Sequence, residues 1–158
     1  MRIFAVIGFL LVLSGCDQSR VYELDHDLDG HFWRVKEIPT FEFAVTDSTQ
    51  LYNIYYRVRN SSDYPYARIF VKYSLMDPAN KELQSKLVSN YLFDQKSGVP
   101  LGSSGIGDKF DHQFLILDKQ KFNKTGKFKV TLEQFMRTDT LPGVESIGIR
   151  VEKQISNL

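Results

Sequence analysis

From Trp33 onward the apolar residues of this chain recur at every second position, and a period of two describes strands with one face buried and one wet. Phe41, Phe43 and Val45 alternate with Glu42 and Ala44. Tyr52, Ile54, Tyr56 and Val58 alternate with Asn53, Tyr55 and Arg57, and Ile69, Val71, Tyr73 and Leu75 with Phe70, Lys72 and Ser74. Phe110, His112, Phe114 and Ile116 form a fourth set, Phe128, Val130 and Leu132 a fifth, and Ile147, Ile149 and Val151 a sixth. Lys81 to Phe93 fits two periods. Leu83, Leu87 and Tyr91 would line a helix; with Phe93 they also share strand parity, and the neighbouring strands favour that choice. Turn-rich segments separate the sets: Asp47-Ser48-Thr49, Asn60 to Pro65, Asp77-Pro78-Ala79-Asn80, Asn123 to Gly126 and Leu141-Pro142-Gly143. Short, evenly spaced strands with such turns predict an all-β fold, an antiparallel β-sandwich (jelly-roll or Ig-like) of about eight strands.

The N-terminus reads differently. Met1-Arg2 is a basic start, Ile3 to Leu13 is an unbroken apolar or small run, and Leu13-Ser14-Gly15-Cys16 follows. That is the layout of a bacterial lipoprotein signal peptide, cut before Cys16. The run falls short of the about 20 apolar residues that span a bilayer. Residues 1–15 are therefore expected as a leader, 16–30 as a polar, lipid-anchored tether, and 31–158 as the sandwich domain. Acyl chains on Cys16 would hold the protein to a membrane. Cys16 is the only cysteine, so the fold must rest on packing and sheet hydrogen bonds.

Charge narrows the function classes. Without Arg2 the 20 Lys and Arg fall level with the 19 Asp and Glu, which leaves no electrostatic footprint for nucleic acid and no polybasic patch for anionic lipid. Asp25-His26-Asp27-Leu28-Asp29-Gly30 has the start of a calcium loop, but Lys36 stands where the closing acid belongs. His26, His31 and His112 lack metal-ligand spacing, and His112 shares parity with apolar neighbours. Leu101 to Asp108 is glycine-rich, yet a strand pattern follows it where a phosphate loop needs a helix; it reads as a flexible connection. No nucleophile–base motif is present. The chain is read as not an enzyme, with no cofactor and no metal.

The remaining candidates are surface groups. Pro65 restricts Tyr64 to extended geometry. Asn60, Asp63, Tyr64 and Tyr66 would then form a rigid turn carrying two exposed aromatics, of the kind enriched at interfaces. Arg57 and Arg59 share the face opposite Tyr56 and Val58 and would reach carboxylates on a partner. The same block also reads as plain turn chemistry joining two strands. A rival function is carbohydrate binding through Tyr55, Tyr64 and Tyr66.

Several blocks in order resemble one family, the GldH gliding-motility lipoproteins of the Bacteroidetes. They are Tyr52-Asn53-Ile54-Tyr55-x-Arg57-x-Arg59-Asn60 with Asp63-Tyr64-Pro65-Tyr66; Gly102-x-x-Gly105-x-Gly107-Asp108; and Met136-Arg137, Leu141-Pro142-Gly143 and Gly148-Ile149-Arg150-Val151-Glu152-Lys153. Leu101, where a Trp is expected, and Arg68, where an Asn is expected, depart from the pattern. The resemblance implies a non-catalytic role in gliding and the linked type IX secretion machinery, with other gliding and secretion lipoproteins as partners. It also implies that Asp47-Ser48-Thr49 and Asp139-Thr140-Leu141 carry an O-glycosylation signal, at Ser48 or Thr140. Asp17-Gln18-Ser19-Arg20 lacks the acidic cluster of surface-exposed lipoproteins in that phylum. The periplasmic face of the outer membrane is therefore the expected location.

Overall fold

A computed structural model describes residues 17–154; the expected leader and the expected lipidation site Cys16 lie outside them. The strands are β1 (Arg20–Asp27), β2 (Phe32–Arg34), β3 (Thr40–Val45), β4 (Leu51–Ser61), β5 (Arg68–Met76), β6 (Glu82–Tyr91), β7 (Ser103–Ser104), β8 (Lys109–Lys121), β9 (Gly126–Gln134), β10 (Thr140–Pro142) and β11 (Val144–Lys153). They form a five-stranded sheet in the order β1-β11-β4-β8-β7, a four-stranded sheet β3-β9-β5-β6, and a small β10-β2 ribbon. All pairings are antiparallel. The fold is the expected β-sandwich with more strands than eight. Lys81 to Phe93 resolves as strand β6.

Alternation sets the core. Phe41, Phe43 and Val45 of β3, Tyr52 to Val58 of β4, and Ile69 to Leu75 of β5 bury every second side chain, as the sequence predicts. Phe122 packs on Phe128 at 4.4 Å between ring centroids and on Tyr52 at 5.5 Å. Two tyrosine hydroxyls pin one sheet to the other. Tyr56 on β4 donates to Asn90 Oδ1 on β6 at 2.7 Å, and Tyr73 on β5 donates to the Ile116 carbonyl on β8 at 3.3 Å. Buried hydroxyls need such partners. The short ribbon closes the core with Trp33, fully buried, whose indole N–H donates to the Glu37 carbonyl at 2.8 Å.

The tether expected over 16–30 is corrected: residues 20–27 are β1, an edge strand paired along β11. Its acidic side chains look solvated in the sequence because so polar a run carries only a weak apolar pattern. Glu23 and Asp25 are instead carboxylates of an ion lattice on the outer face of the sheet. Arg57 on β4 reaches over Gly148 of β11 to Asp25 at 2.9 Å and to Glu23 at 2.7 Å. Arg150 pairs with Glu23, Glu152 and Asp17. Gly148 makes the room, since a Cβ there would stand 2.1 Å from Asp25 Oδ1 and 2.4 Å from the Leu24 carbonyl. The Leu101–Asp108 segment is also more ordered than a flexible connection. Its Ser103–Ser104 pair with β8, and Gly105 N–H donates to the Lys109 carbonyl at 2.8 Å.

Two outcomes check β1. Amide exchange should protect residues 22–26 alongside β11, where a tether would exchange at once. Gly148→Ala should lower unfolding stability by about 1–3 kcal/mol through overpacking, measured by denaturant titration.

Candidate functional site

The turn after β4 is built on Tyr64. Its ring is 4% exposed, stacks on Phe93 at 6.5 Å and meets Tyr66 edge-on at 5.8 Å. Its hydroxyl donates to the Arg68 carbonyl at 3.0 Å, and burial pushes the phenol well above its usual range. Gly143, at φ +74°, lies so close that a Cβ would be 2.5 Å from Tyr64 N. The expected pair of exposed tyrosines is therefore corrected to one: Tyr66 is 43% exposed and Tyr64 is core. Pro65 fixes the backbone of Tyr64, but which tyrosine points inward depends on Phe93 and Gly143, both distant in sequence.

Apart from Asp63, the other turn candidates are also engaged at home. Arg57 pairs with Glu23 and Asp25, and Arg59 grips Asp111 with two bonds at 2.7 and 3.1 Å. The expectation that both await a partner's carboxylates is corrected: β1 and β8 supply them. Asn60 is fully buried and donates from Nδ2 to the Ser61 carbonyl at 3.0 Å. Asp63 is exposed and belongs to no ion pair among the described residues. Tyr55 lies on the outer face with Arg57, whereas Tyr66 stands beside Phe70 of the other sheet. Tyr55, Tyr64 and Tyr66 do not assemble into one sugar platform.

Charge in the lattice is tuned by contact. The Ser19 hydroxyl and the Arg150 guanidinium hold the Asp17 carboxyl down at about 2, while burial raises Asp25 against the pull of Arg57. At the far end of the sheet Glu145 accepts Lys109 Nζ and His31 Nδ1, each at 2.7 Å. His31 takes a left-handed backbone, φ 63°, to reach it. The sequence gives no sign of this cluster, because its three members come from three segments. Asp25 and Asp27, weighed as calcium ligands, lie on β1.

Ser48 sits half-buried in the turn after β3, where Asp47 accepts the Thr49 hydroxyl at 2.6 Å. Thr140, expected in a turn, is the exposed first residue of β10.

One surface feature has no counterpart among the sequence candidates except Tyr66. Tyr66, Phe70, Phe135, Met136 and Arg137 line an open cleft of about 390 Å³. Phe135 is 51% exposed, and Met136 Sδ accepts the Phe70 N–H at 3.4 Å. Arg68 lies over the Phe70 ring at 5.7 Å and the Tyr91 ring at 4.2 Å, the geometry of cation–π attraction. The available signal was Tyr66-x-Arg68-x-Phe70, a wet-face alternation of rings around an arginine.

Buried His112 on β8 stacks on Phe114 at 5.7 Å beside Gly102, and Nε2 has no partner among the described residues. Desolvation lowers its pKa to about 4. The unfolded chain takes up this proton near pH 6.5 and the native protein only near pH 4. Stability is therefore retained above 6.5 and lost as pH falls through that window. Melting temperatures from pH 7 to 4.5 should fall more steeply for the wild type than for His112→Leu. In urea, Tyr64→Ala should cost about 3–5 kcal/mol, as for other buried aromatics, and Tyr66→Ala less than about 1.

Comparison with known proteins gives one family. The model described as GldH lipoprotein matches residues 20–151. A relative from Christiangramia forsetii, named gliding motility lipoprotein GldH homolog, is 30% identical over 96% of this chain and 94% of its own length. Gliding motility lipoprotein GldH of Flavobacterium johnsoniae is 27% identical over 91% of each chain. Among solved structures, the VP2 subviral particle of infectious bursal disease virus aligns with 89% of this chain and 34% of its own. Its TM-score is 0.39 and its identity 14%, which carries nothing about function.

Proposed function

The chain belongs to the GldH lipoprotein family, and on that premise we propose that it is a lipid-anchored, non-catalytic component of the gliding machinery. It acts through contacts with other gliding and secretion lipoproteins and serves the linked type IX secretion system. Relatives along nearly the whole chain carry the gliding name, which supports the first part. The observation that carries the contact reading is the aromatic cleft. Tyr64, Asn60 and the lattice arginines are spent on the fold, whereas the cleft presents large apolar side chains to solvent, the mark of an interaction site.

The anchor follows from Cys16. Asp17, the next residue, is tied to Arg150, and the Ser19 carbonyl accepts Lys153 N–H at 2.7 Å. Acyl chains on Cys16 thus hold the sandwich against the bilayer by the end where β1 starts and β11 finishes, with no long spacer. β4 starts at that end, and the chain turns at its other end into β5. The turn with Tyr66 then points away from the membrane, into the periplasm if the anchor is in the inner leaflet of the outer membrane.

In the native host, deleting the gene should abolish spreading on agar, and the wild-type gene should restore it. Cys16→Ala should lose labelled palmitate and leave the membrane fraction. Normal spreading in the deletion strain would overturn the reading.

A further inference from the structure

We propose that the cleft between Tyr66, Phe70 and Phe135 docks an extended segment of a partner protein, one that sets a carboxylate beside an aromatic or aliphatic side chain. The inference rests on the protein-contact reading and adds the surface and the chemistry of what it receives.

Charge complementarity carries it. Arg20, Arg34, Arg57, Arg59 and Arg150 each have a carboxylate of this chain within ion-pair distance. The other arginines among the described residues, Arg68 and Arg137, have none; Arg137 lines this cleft, and Arg68 lies beside it, over the ring of the lining residue Phe70. A chain that matches its guanidinium groups so thoroughly elsewhere leaves one unmatched in its aromatic opening and a second beside it. Arg68 is held in place by the rings of Phe70 and Tyr91, so little side-chain freedom remains to be lost when an anion arrives. Guanidinium groups favour carboxylates, with which they form paired hydrogen bonds.

The lining selects the rest of the ligand. Phe70, Phe135 and Met136 are apolar, and the polar groups there are the Tyr66 hydroxyl and the Arg137 guanidinium. A sugar ring needs acceptors and donors around its hydroxyls, and this lining offers few. An anionic membrane asks for a cluster of cations, whereas here one lines the cleft and one stands beside it. An apolar side chain next to an acid satisfies both halves of the site. The cleft also lies at the end away from the anchor, where a periplasmic segment has access.

The test uses the full-length lipoprotein in detergent, titrated by calorimetry with a blocked hexapeptide alternating aspartate and phenylalanine. Its asparagine–phenylalanine isostere, polygalacturonate and phosphatidylglycerol vesicles are the other probes. The acidic peptide should bind at least about tenfold more tightly than the isostere, and Phe135→Ser and Arg137→Glu should each weaken it by about tenfold. Lys121→Glu, at the opposite end, should leave it unchanged. Both cleft residues are exposed, so melting temperatures should match the wild type. No binding of the acidic peptide, or binding indifferent to its carboxylates or to the cleft variants, overturns the proposal. Binding of polygalacturonate or vesicles in its place, lost in the same variants, reassigns the cleft to a glycan or a lipid. In the deletion strain the Phe135→Ser, Arg137→Glu double variant should fail to restore spreading. If it restores spreading as the wild type does, the docking inference fails and the gliding role stands. If the wild-type gene itself fails, the gliding role is what falls.

Discussion

Burial of the two inner sheet faces against each other is the constraint on which the rest of this molecule depends. With one cysteine in the whole chain, no covalent link within it can substitute for packing. The faces are rich in aromatics: Phe41, Phe43, Tyr52, Tyr56, Tyr73 and Phe128 are all buried, and each contributes on the order of 1.5–3 kcal/mol or more of transfer free energy. Aromatic faces bring hydroxyls inward with them. The fold uses those hydroxyls rather than hiding them, joining Tyr56 to Asn90 and Tyr73 to the Ile116 carbonyl across the gap. These bonds fix how the sheets register, which apolar contact alone does not.

The outer face of the five-stranded sheet is held by a second, electrostatic layer. Arg57 and Arg150 sit on interior strands and draw the carboxylates of Asp17, Glu23 and Asp25 onto them. Exposed pairs individually contribute little, but here several share partners and line one strand. Together they explain how a segment as polar as 20–27 joins a sheet at all. They also bind the residue next to Cys16 to the body of the domain, which turns a nominal tether into a short, rigid mount.

That mount gives the molecule a direction. One end carries Asp17, the residue that follows Cys16. The other carries the Tyr64 turn, the His31–Glu145–Lys109 cluster and the aromatic cleft. The turn is rigid because Tyr64 is its keystone, stacked on Phe93 and roofed by Gly143. Tyr66, two residues on, is thereby presented at a fixed position beside Phe70, the preorganisation that the proposed docking would use.

Local alternation sufficed to determine the all-β class, the main strands and most of the core, because a side chain's face in a strand depends only on its parity. A short apolar run ending in Leu-Ser-Gly-Cys likewise carries its anchoring message without any fold. Tertiary structure alone decided the rest. β1 shows only a weak apolar alternation, Tyr22 and Leu24 against Glu23 and Asp25, because the partners of its carboxylates are charges on β11 and β4, far along the chain. Tyr64 and Tyr66 share a sequence environment, and only distant Phe93 and Gly143 send one inward and leave the other out. Arg57 and Arg59 look no freer or busier in sequence than Arg68 and Arg137. Whether a guanidinium is matched depends on which carboxylates the sheet order brings beside it, and that is a property of the folded molecule.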